Sequence, residues 1–391
     1  MPATIQAEQE LYWLALRLTP GLGTRRAHQL METFRSAEAV FQASRGDLED
    51  CGLPGSVAQS LASGCMFDEA VEQQNRLRAT GARLITLNCA DYPPLLREIF
   101  DPPVLLFARG RVELLAKAMF AVVGTRRPTP YGVAATERLS ADLASAGLVI
   151  VSGMARGIDT AAHRGTLSVS GATVAVLGCG VDVVYPSENR KLSEAIAAQG
   201  VIISEFPMGT IAFPQNFPIR NRIVSGMSVG LLVVEGAQYS GSSITAKLAQ
   251  DQGRELYAVP GNITSKMSWG PNLLIKQGAK LVQDWNDVIV DLPPAVRRQL
   301  IDEGQQRLLN LDPEATPKPS GNAADDLSIG PSNEASRRVL SFLKLDSPTH
   351  LDDLIDQLER VSTTEVIGAL FELEMLGLVK QLPGKNYIKV W

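Results

Sequence analysis

The stretch FAVVGTRRPTPYGVAATERLSADLASAGLVIVSG, residues 120–153, decides the fold class. It contains two short apolar runs, FAVVG and GLVIVSG, and a longer run with a helical pattern lies between them. Continuous apolar strands that alternate with helices are typical of a parallel sheet covered on both faces. The same texture recurs in ARLITL, TVAVLG, GVIISEF, VGLLVVEG and ELYAVPG. We therefore predict an α/β protein that binds its ligand at the carboxyl ends of the strands, where the glycine-rich turns lie.

Outside this core the sequence changes character. Residues 1–82 are predicted to form a small bundle of short helices, because helical runs are separated by Gly, Pro or Ser. Residues 83–290 form the predicted sheet domain, and residues 291–333 a linker that has room for one short helix in VRRQLIDEGQQRLLNL. Residues 334–391 contain three helical runs and then two strands joined by a Pro-Gly turn, which is the order of a winged helix.

The composition of the 391 residues excludes several classes of protein. Apolar residues make up 45% and charged residues 20%, which is typical of a globular chain. The net charge of −5 argues against a general electrostatic affinity for nucleic acid, so such binding requires a local basic patch. The cysteines form no C-x-x-C pair and the histidines no ligand pattern, so we expect no metal and a reducing, cytoplasmic location. No apolar run is long enough to span a membrane.

The first glycine turn of the predicted sheet carries two arginines. In VVGTRRP, Gly124 and Thr125 precede Arg126 and Arg127. Planar guanidinium groups at the end of a strand suit phosphate, because the fork can contact two oxygens. The alternative is an exposed arginine pair on an ordinary loop.

The motif VSGMARGID repeats this design after the next strand. Ser152, Gly153 and Gly157 predict a loop whose N–H groups can point at an anion, and Arg156 adds positive charge. A tight turn would explain the glycines but not the arginine. We expect Asp159 to act only as the N-cap of the following helix.

The stretch VAVLGCGVDVVYP is similar to a dinucleotide-binding fingerprint but does not complete it. Gly178 and Gly180 supply G-x-G, whereas Val183 occupies the third glycine position and no helix opens there. We therefore predict no NAD or FAD and no other cofactor. In the following YPSENRKL, Asn189 and Lys191 stand at a predicted helix start, where they could contact a ligand or cap the helix.

The stretch FPQNFPIRNRIVSG combines prolines, aromatic residues and cations. Its prolines predict an extended loop, and Arg220, Asn221 and Arg222 follow at once. Cations beside the rings of Phe213 and Phe217 suit single-stranded nucleic acid, since cations bind phosphates and ring faces stack on bases. For the two rings we favour the alternative, in which both are buried and hold the loop.

A structural alternative also exists for the last of these arginines. Arg222 could form an ion pair with Glu205 or with Glu235, both of which follow predicted strands. Such a pair would withdraw its guanidinium from any ligand.

The turn YSGSSIT places small polar residues before another predicted helix. Ser240, Gly241 and Ser242 could hold an anion at the helix N-terminus or simply cap the helix, and the two roles are compatible.

The two ends of the chain suggest different partners. The P-G-L-G turn at residues 20–23 is similar to a helix-hairpin-helix element, which offers backbone N–H groups to phosphate, and a packing module is an equal alternative. The candidate recognition helix of the winged helix, residues 362–376, contains three glutamates and no lysine or arginine. We therefore predict that the winged helix contacts protein rather than DNA.

Taken together, VVGTR, SGMARGID, AVLGCGVDVVYPSEN, FPIRNRIVSG, VVEGAQYSGSSITAKLA and GPNLLIKQGAKLV resemble the DNA-processing protein A family, also called Smf. The resemblance covers about residues 84–290 in uninterrupted order. It implies an extended Rossmann-like core without a cofactor, an N-terminal helical domain of the SAM or helix-hairpin-helix type, and a C-terminal winged helix.

The same resemblance implies a function without catalysis. Family members bind single-stranded DNA, protect incoming DNA in natural transformation, and load the RecA recombinase in the presence of single-strand-binding protein. They form homodimers through the end of the core, which falls here near Asn272 to Leu281. The candidate DNA-binding residues from the motifs and the resemblance are Gly124, Thr125, Arg126, Arg127, Ser152, Gly153, Arg156, Gly157, Asn189, Lys191, Arg220, Asn221, Arg222, Ser240, Gly241 and Ser242.

A competing hypothesis is an enzyme that acts on nucleotides. The core also resembles, distantly, the lysine-decarboxylase-like phosphoribohydrolases, whose P-G-G-x-G-T-x-x-E motif ends in a catalytic glutamate. The comparable turn here, SGSSITAKL, has no carboxylate at its final position. The general acid–base chemistry of that class therefore lacks its group.

Overall fold

The computed structural model describes residues 3–238, 240–309, 334–343, 349–358, 366, 369–370, 373, 379–382 and 386–389. The chain separates into two compact units, and the boundary lies between residues 312 and 313. Among the described residues, no helix combines the length and the apolar character that crossing a bilayer requires.

The first unit begins with a helical segment, as the sequence predicts. Its helices are α1 (Ala3–Leu18), α2 (Thr24–Phe34), α3 (Ala37–Gln42), α4 (Arg45–Asp50), α5 (Gly55–Ser63) and α6 (Phe67–Thr80). The turn between α1 and α2 depends on Gly21, whose φ of 75° lies in the left-handed region that favours glycine. Buried residues of α1, such as Leu14 and Leu16, belong to the same hydrophobic cluster as Phe107 of the sheet, so these helices and the sheet share one core.

A nine-stranded sheet follows within the described residues. Its strands are β1 (Arg83–Thr86), β2 (Leu105–Gly110), β3 (Met119–Val123), β4 (Val149–Ser152), β5 (Thr173–Val176), β6 (Val201–Ser204), β7 (Gly230–Val233), β8 (Glu255–Ala258) and β9 (Lys280–Leu281). Their spatial order is β1-β2-β6-β5-β4-β3-β7-β8-β9, and the strands from β6 to β9 run parallel.

The β1–β2 edge differs from the predicted all-parallel sheet. β2 is a strand that the sequence analysis did not identify, and it pairs antiparallel with both β1 and β6. Its LLFARG run is buried at its first four positions, and only a short 3-10 helix, Val112–Ala116, separates it from β3. An antiparallel edge on a mostly parallel sheet is common, because it needs no crossover helix.

Helices cover the sheet between these strands. They are α7 (Pro94–Arg97), α8 (Pro130–Ser145), α9 (Ile158–Ser168), α10 (Arg190–Gln199), α11 (Asn216–Gly226), α12 (Gly241–Asp251), α13 (Trp269–Lys276), α14 (Asn286–Ile289) and α15 (Pro294–Leu309). The last of them lies in the segment predicted as a linker, and its Leu300 is buried in the sheet's second hydrophobic cluster. Residues 310–333, the rest of the predicted linker, lie outside the described residues.

The chain order creates a switch point in the sheet. From β3 the chain builds β4, β5 and β6 on one side and then returns to place β7 on the other side of β3. The loops that leave β3 and β7 therefore diverge and open a crevice at the carboxyl ends of the strands, which is where open α/β sheets bind ligands.

Two local expectations were wrong. The R-N-R motif lies inside α11 rather than in an extended loop, since the helix already begins at Asn216. Pro218 does not prevent this, because N–H groups in the first turn have no partner within the helix. Asp159 is not the N-cap of α9; that position is Gly157, which makes no side-chain cap.

The second unit contains the elements of a winged helix. Its described elements are α16 (Glu334–Phe342), β10 (Thr349–His350), α17 (Leu351–Gln357), β11 (Val379–Leu382) and β12 (Asn386–Lys389). The strands form an antiparallel sheet in the order β10-β12-β11. The predicted acidic helix, residues 362–376, lies largely outside the described residues, so its proposed protein contact stays a prediction.

A buried group of charges connects α11 with its neighbours. Arg222 donates to Glu205 at 2.5 Å and lies 3.1 Å from Asp101, and its side chain is only 8% exposed. Arg17 of α1 donates to the carbonyl oxygen of Glu205 at 3.1 Å. Of the two pairings considered for Arg222, the one with Glu205 is therefore confirmed, while Glu235 instead accepts from Thr129.

We predict that Arg222→Ala lowers the free energy of unfolding by about 3–5 kcal/mol, because it leaves a buried carboxylate without its cation. Chemical denaturation should show this loss. The matched control is Arg138→Ala on α8, whose arginine is 79% exposed and 3.8 Å from Asp142, and which should change stability by under about 0.5 kcal/mol.

The pH dependence of this loss is a second readout. Burial raises the pKa of Glu205, and Arg222 is the main group that opposes the rise. An acid whose pKa is higher in the folded chain holds more protons there, so stability falls as the pH rises. The difference between Arg222→Ala and wild type should therefore be larger at about pH 7 than at about pH 5. A loss that is equal at both pH values would contradict this account.

Candidate nucleic-acid interface

A crevice with a volume of about 560 Å³ lies at the switch point of the sheet. The ends of β3 and β4, the first turns of α11 and the start of α12 line it. Nine of the sixteen candidate DNA-binding residues lie on its walls: Gly124, Thr125, Arg126, Gly153, Arg220, Asn221, Ser240, Gly241 and Ser242. Residues that are far apart in the sequence thus meet in one concave site.

Arg220 forms the floor of this crevice. Its side chain is almost fully buried, and Nη1 donates to the carbonyl oxygen of Val176 at the end of β5 at 2.5 Å. Its Nε has no hydrogen-bond partner among the described residues. The guanidinium lies directly against Gly153, so that a Cβ at this glycine would overlap it. Gly153 is therefore required by the close approach of the arginine.

Asp159 faces Arg220 across the turn after β4. Its Oδ2 accepts from the N–H groups of Gly153 and Ala155 at 3.2 and 3.3 Å. The predicted anion-binding loop is therefore occupied by a carboxylate of the chain itself. Burial raises the pKa of Asp159, and Arg220 is the main group that opposes this rise.

Aromatic rings form one wall of the crevice. The Arg126 guanidinium lies 5.1 Å from the centre of the Phe217 ring, and the Tyr185 ring is 5.5 Å from that of Phe217. Phe217 and Tyr185 both line the crevice, and Phe213 is 43% exposed. The favoured prediction that both phenylalanines are buried was wrong, because α11 begins early enough to project Phe217 into the crevice.

The N-terminus of α12 forms the opposite wall. Ser240 stands at the N-cap without capping the helix, and its Oγ instead pairs with Oγ of Ser242 at 2.7 Å. Because the Ser240 side chain does not cap this helix, the positive dipole end of α12 faces the crevice without its N-cap hydroxyl. Ile244 and Thr245 also line the crevice, although the sequence analysis did not select them.

Three candidates are part of the scaffold rather than of the surface. Ser152 is fully buried and donates to the carbonyl oxygen of Val122 at 2.7 Å. Asn189 is buried and donates to the carbonyl oxygen of Met154. Arg222 is bound in its buried ion pairs. The structure therefore does not bring these three side chains to the crevice.

The remaining candidates lie outside the crevice. Arg156 and Gly157, together with Asn189, line a second cleft of about 310 Å³ on the far side of the turn after β4. Arg127 follows the crevice residue Arg126 and is exposed, and Lys191 is exposed in the first turn of α10.

The described residues contain no cluster of three or more His, Cys, Asp or Glu side chains that could hold a metal ion. His163 is fully buried, and Nδ1 shares a hydrogen bond of 2.7 Å with Thr173. Burial lowers the pKa of His163 to about 3, so this imidazole is a neutral part of the core.

Comparison with known proteins identifies the family. The model described as DNA recombination-mediator protein A matches residues 83–293, which is more than half of the chain. The chain belongs to this family. A second model, the DprA winged helix domain, matches residues 318–385. Both matches confirm the resemblance seen in the sequence motifs.

Individual relatives agree with this assignment. Protein Smf of Synechocystis is 32% identical over 97% of this chain and 98% of its own length. The DNA processing protein DprA of Bacillus subtilis is 42% identical over 55% of this chain and 73% of its own length. The X-ray structure of DNA processing protein A from Streptococcus pneumoniae is 34% identical, with a TM-score of 0.63 over 72% of this chain and 98% of that chain.

The two residues predicted for self-association lie near the β9 edge of the sheet. Leu281 is 44% exposed on β9, which is an edge strand of the sheet that the described residues form and pairs with β8. Asn272 on α13 exchanges two hydrogen bonds with the backbone of Gly261, so its amide is used within the chain. Nearby in the sequence, Trp269 and Trp285 are about 40% exposed.

We predict that Gly153→Ala lowers the free energy of unfolding by about 1–3 kcal/mol, because the new Cβ forces the Arg220 guanidinium out of its place. Gly241→Ala is the matched control on the opposite wall. Apart from its chain neighbours and its own helix, no atom of the described residues lies within 4 Å of its Cβ position, and stability should stay within about 1 kcal/mol of wild type. Equal stabilities for the two variants in urea unfolding would show that Arg220 does not depend on this glycine.

Proposed function

We propose that the crevice binds single-stranded DNA and that the chain acts on it as a recombination mediator. The observation that carries this proposal is that Arg126 lies over the Phe217 ring in the same crevice that the buried Arg220 and the N-terminus of α12 line. Cations and helix N–H groups bind phosphates, while ring faces stack on bases. The two kinds of contact are combined in one site.

The rings favour a single strand over a duplex. A ring that stacks on a base needs that base to be unstacked from its neighbours, which is the normal condition of a single strand. In a duplex the base faces are covered, and only the backbone would reach the crevice. Phe217 and Tyr185 therefore supply the preference for single strands, whereas the arginines supply most of the affinity.

The local charge supports an anionic ligand despite the negative total. Within residues 115–290 there are fifteen Lys or Arg and twelve Asp or Glu, so the core carries a small positive excess. Among the described residues that line the crevice, Asp159 is the one acidic side chain, and it already accepts two backbone hydrogen bonds. Arg126 and Arg220 therefore dominate the field there.

We infer that the site binds without catalysing a reaction. Among the described residues that line the crevice, the carboxylate of Asp159 already accepts from the N–H groups of Gly153 and Ala155, and the turn SGSSITAKL carries no glutamate at the position that the phosphoribohydrolases use. This geometry supports binding over the competing phosphoribohydrolase hypothesis. Absence of free base after incubation of the pure chain with nucleoside monophosphates tests this point.

The wider role is part of the proposal and is supported by the family to which the chain belongs. We propose that the bound strand is protected during natural transformation and passed to RecA, with single-strand-binding protein involved indirectly. A homodimer through the β9 edge would place two crevices in one assembly. We also place this activity in the reducing cytoplasm, because all four cysteines are free thiols.

We predict that Arg126→Ala weakens binding to single strands of every sequence by about tenfold or more, because it removes a charge-assisted phosphate contact. The dependence of log affinity on log salt should become shallower by about 0.7 for each lost contact. Fluorescence anisotropy with labelled oligo-dT and a mixed-sequence strand measures both quantities. Arg138→Ala, an exposed arginine on α8, is the charge-matched control and should bind like wild type. Wild-type affinity for Arg126→Ala would overturn the site assignment.

We also predict that Phe217→Leu weakens binding by about fivefold or more and leaves the salt dependence unchanged, since a stacking contact is lost but no phosphate contact. Phe100→Leu is the matched control, because Phe100 is exposed and also carries an arginine, Arg25, over its ring at 4.6 Å, but lies outside the crevice. A salt slope that falls with Phe217→Leu would mean that the ring acts only by supporting Arg126.

A further inference from the structure

The second cleft, which Arg156 and Glu188 line, contains an exposed ion pair between these two residues. Arg156 stands on this turn, next to Ala155, which lines the crevice. Glu188 comes from the short turn that precedes α10. The two carboxylate oxygens of Glu188 accept from the Arg156 guanidinium: Nε lies 2.9 Å from Oε1, and Nη2 lies 2.8 Å from Oε2.

Both side chains of this ion pair are exposed to solvent. The Arg156 side chain is 62% exposed and that of Glu188 is 53% exposed. Solvent-exposed ion pairs are weak, because water and salt screen the attraction and two long side chains must be ordered. Another anion can therefore replace Glu188 at Arg156 with a small loss of free energy. The buried pair of Arg222 and Glu205 differs in this respect.

The Glu188 carboxylate contacts the Arg156 guanidinium in the same way that a phosphate would. A carboxylate and a phosphodiester both offer two oxygens to the two parallel N–H groups of a guanidinium fork. A strand that leaves the crevice past Ala155 reaches Arg156 next. The cleft also contains Arg164, so a phosphate that displaces Glu188 from Arg156 would meet a second cation there.

We propose that Glu188 is an internal competitor for the DNA strand at Arg156. Without DNA, Glu188 holds the guanidinium; when a strand is bound, a backbone phosphate displaces the carboxylate and makes the second cleft a further phosphate subsite. The inference rests on the proposed binding of single-stranded DNA. In this account Glu188 lowers the affinity for the strand, and the second cleft lengthens the stretch of DNA that the protein contacts.

A double-mutant cycle on the full chain tests this competition. The affinities of wild type, Glu188→Gln, Arg156→Ala and the double variant for labelled oligo-dT are measured over a range of salt. We expect Glu188→Gln to tighten binding by about twofold to fivefold, the range for loss of an exposed ion pair. We expect no such gain in the Arg156→Ala background. Glu194→Gln is the matched control, an exposed carboxylate on α10, and should change affinity by less than about twofold.

The outcomes separate the inference from the proposed function. An equal gain in both backgrounds would show general charge repulsion and overturn the competition. Unchanged or weaker binding by Glu188→Gln, while wild type binds and Arg126→Ala does not, would overturn the inference alone. Failure of the wild-type chain to bind any single strand would overturn the proposed function, and the inference with it.

Discussion

A buried guanidinium is the constraint on which the site depends. Arg220 can be removed from water only because a strand-end carbonyl accepts from it, a carboxyl group faces it and a glycine leaves it room. These conditions tie together the ends of β4 and β5 and the first turns of α11. Because α11 is held at this point, Phe217 one turn earlier projects under Arg126. The aromatic wall of the crevice is thus a consequence of how one buried charge is accommodated.

Several N–H groups and arginines that the motifs offer to a ligand already bind carboxylates of the chain itself. Asp159 accepts from the N–H groups after β4, and Glu235 accepts from Thr129 at the start of α8. Glu188 forms an ion pair with Arg156, and Glu205 forms one with Arg222. What separates them is exposure to water. The buried carboxylates set the shape of the turns, whereas the exposed one can be exchanged for a ligand at little cost. A basic motif in the sequence is therefore not by itself an available cation.

The sequence predicts most of the sheet because its strands are continuous apolar runs with helices between them. This pattern can be recognised without knowing which residues contact each other. It does not predict β2, whose pairing partners are distant and antiparallel. The motifs predict which loops form the crevice, since strand order places their ends together. They do not distinguish Arg126, which is exposed, from Arg222, which is buried, or Phe217 from a core residue. Those differences depend on the residue at which α11 begins and on tertiary partners that no local pattern specifies.

The shared core of α1 and the sheet has a consequence for the architecture. Leu14 and Leu16 pack in the same cluster as Phe107, and Arg17 bonds the backbone at the end of β6. A truncated chain that begins at β1 would therefore expose a large hydrophobic surface on the sheet and would be prone to aggregate. The leading helices are therefore a permanent part of the core of the sheet domain rather than a detachable module, and helices and sheet should unfold together in a single cooperative step.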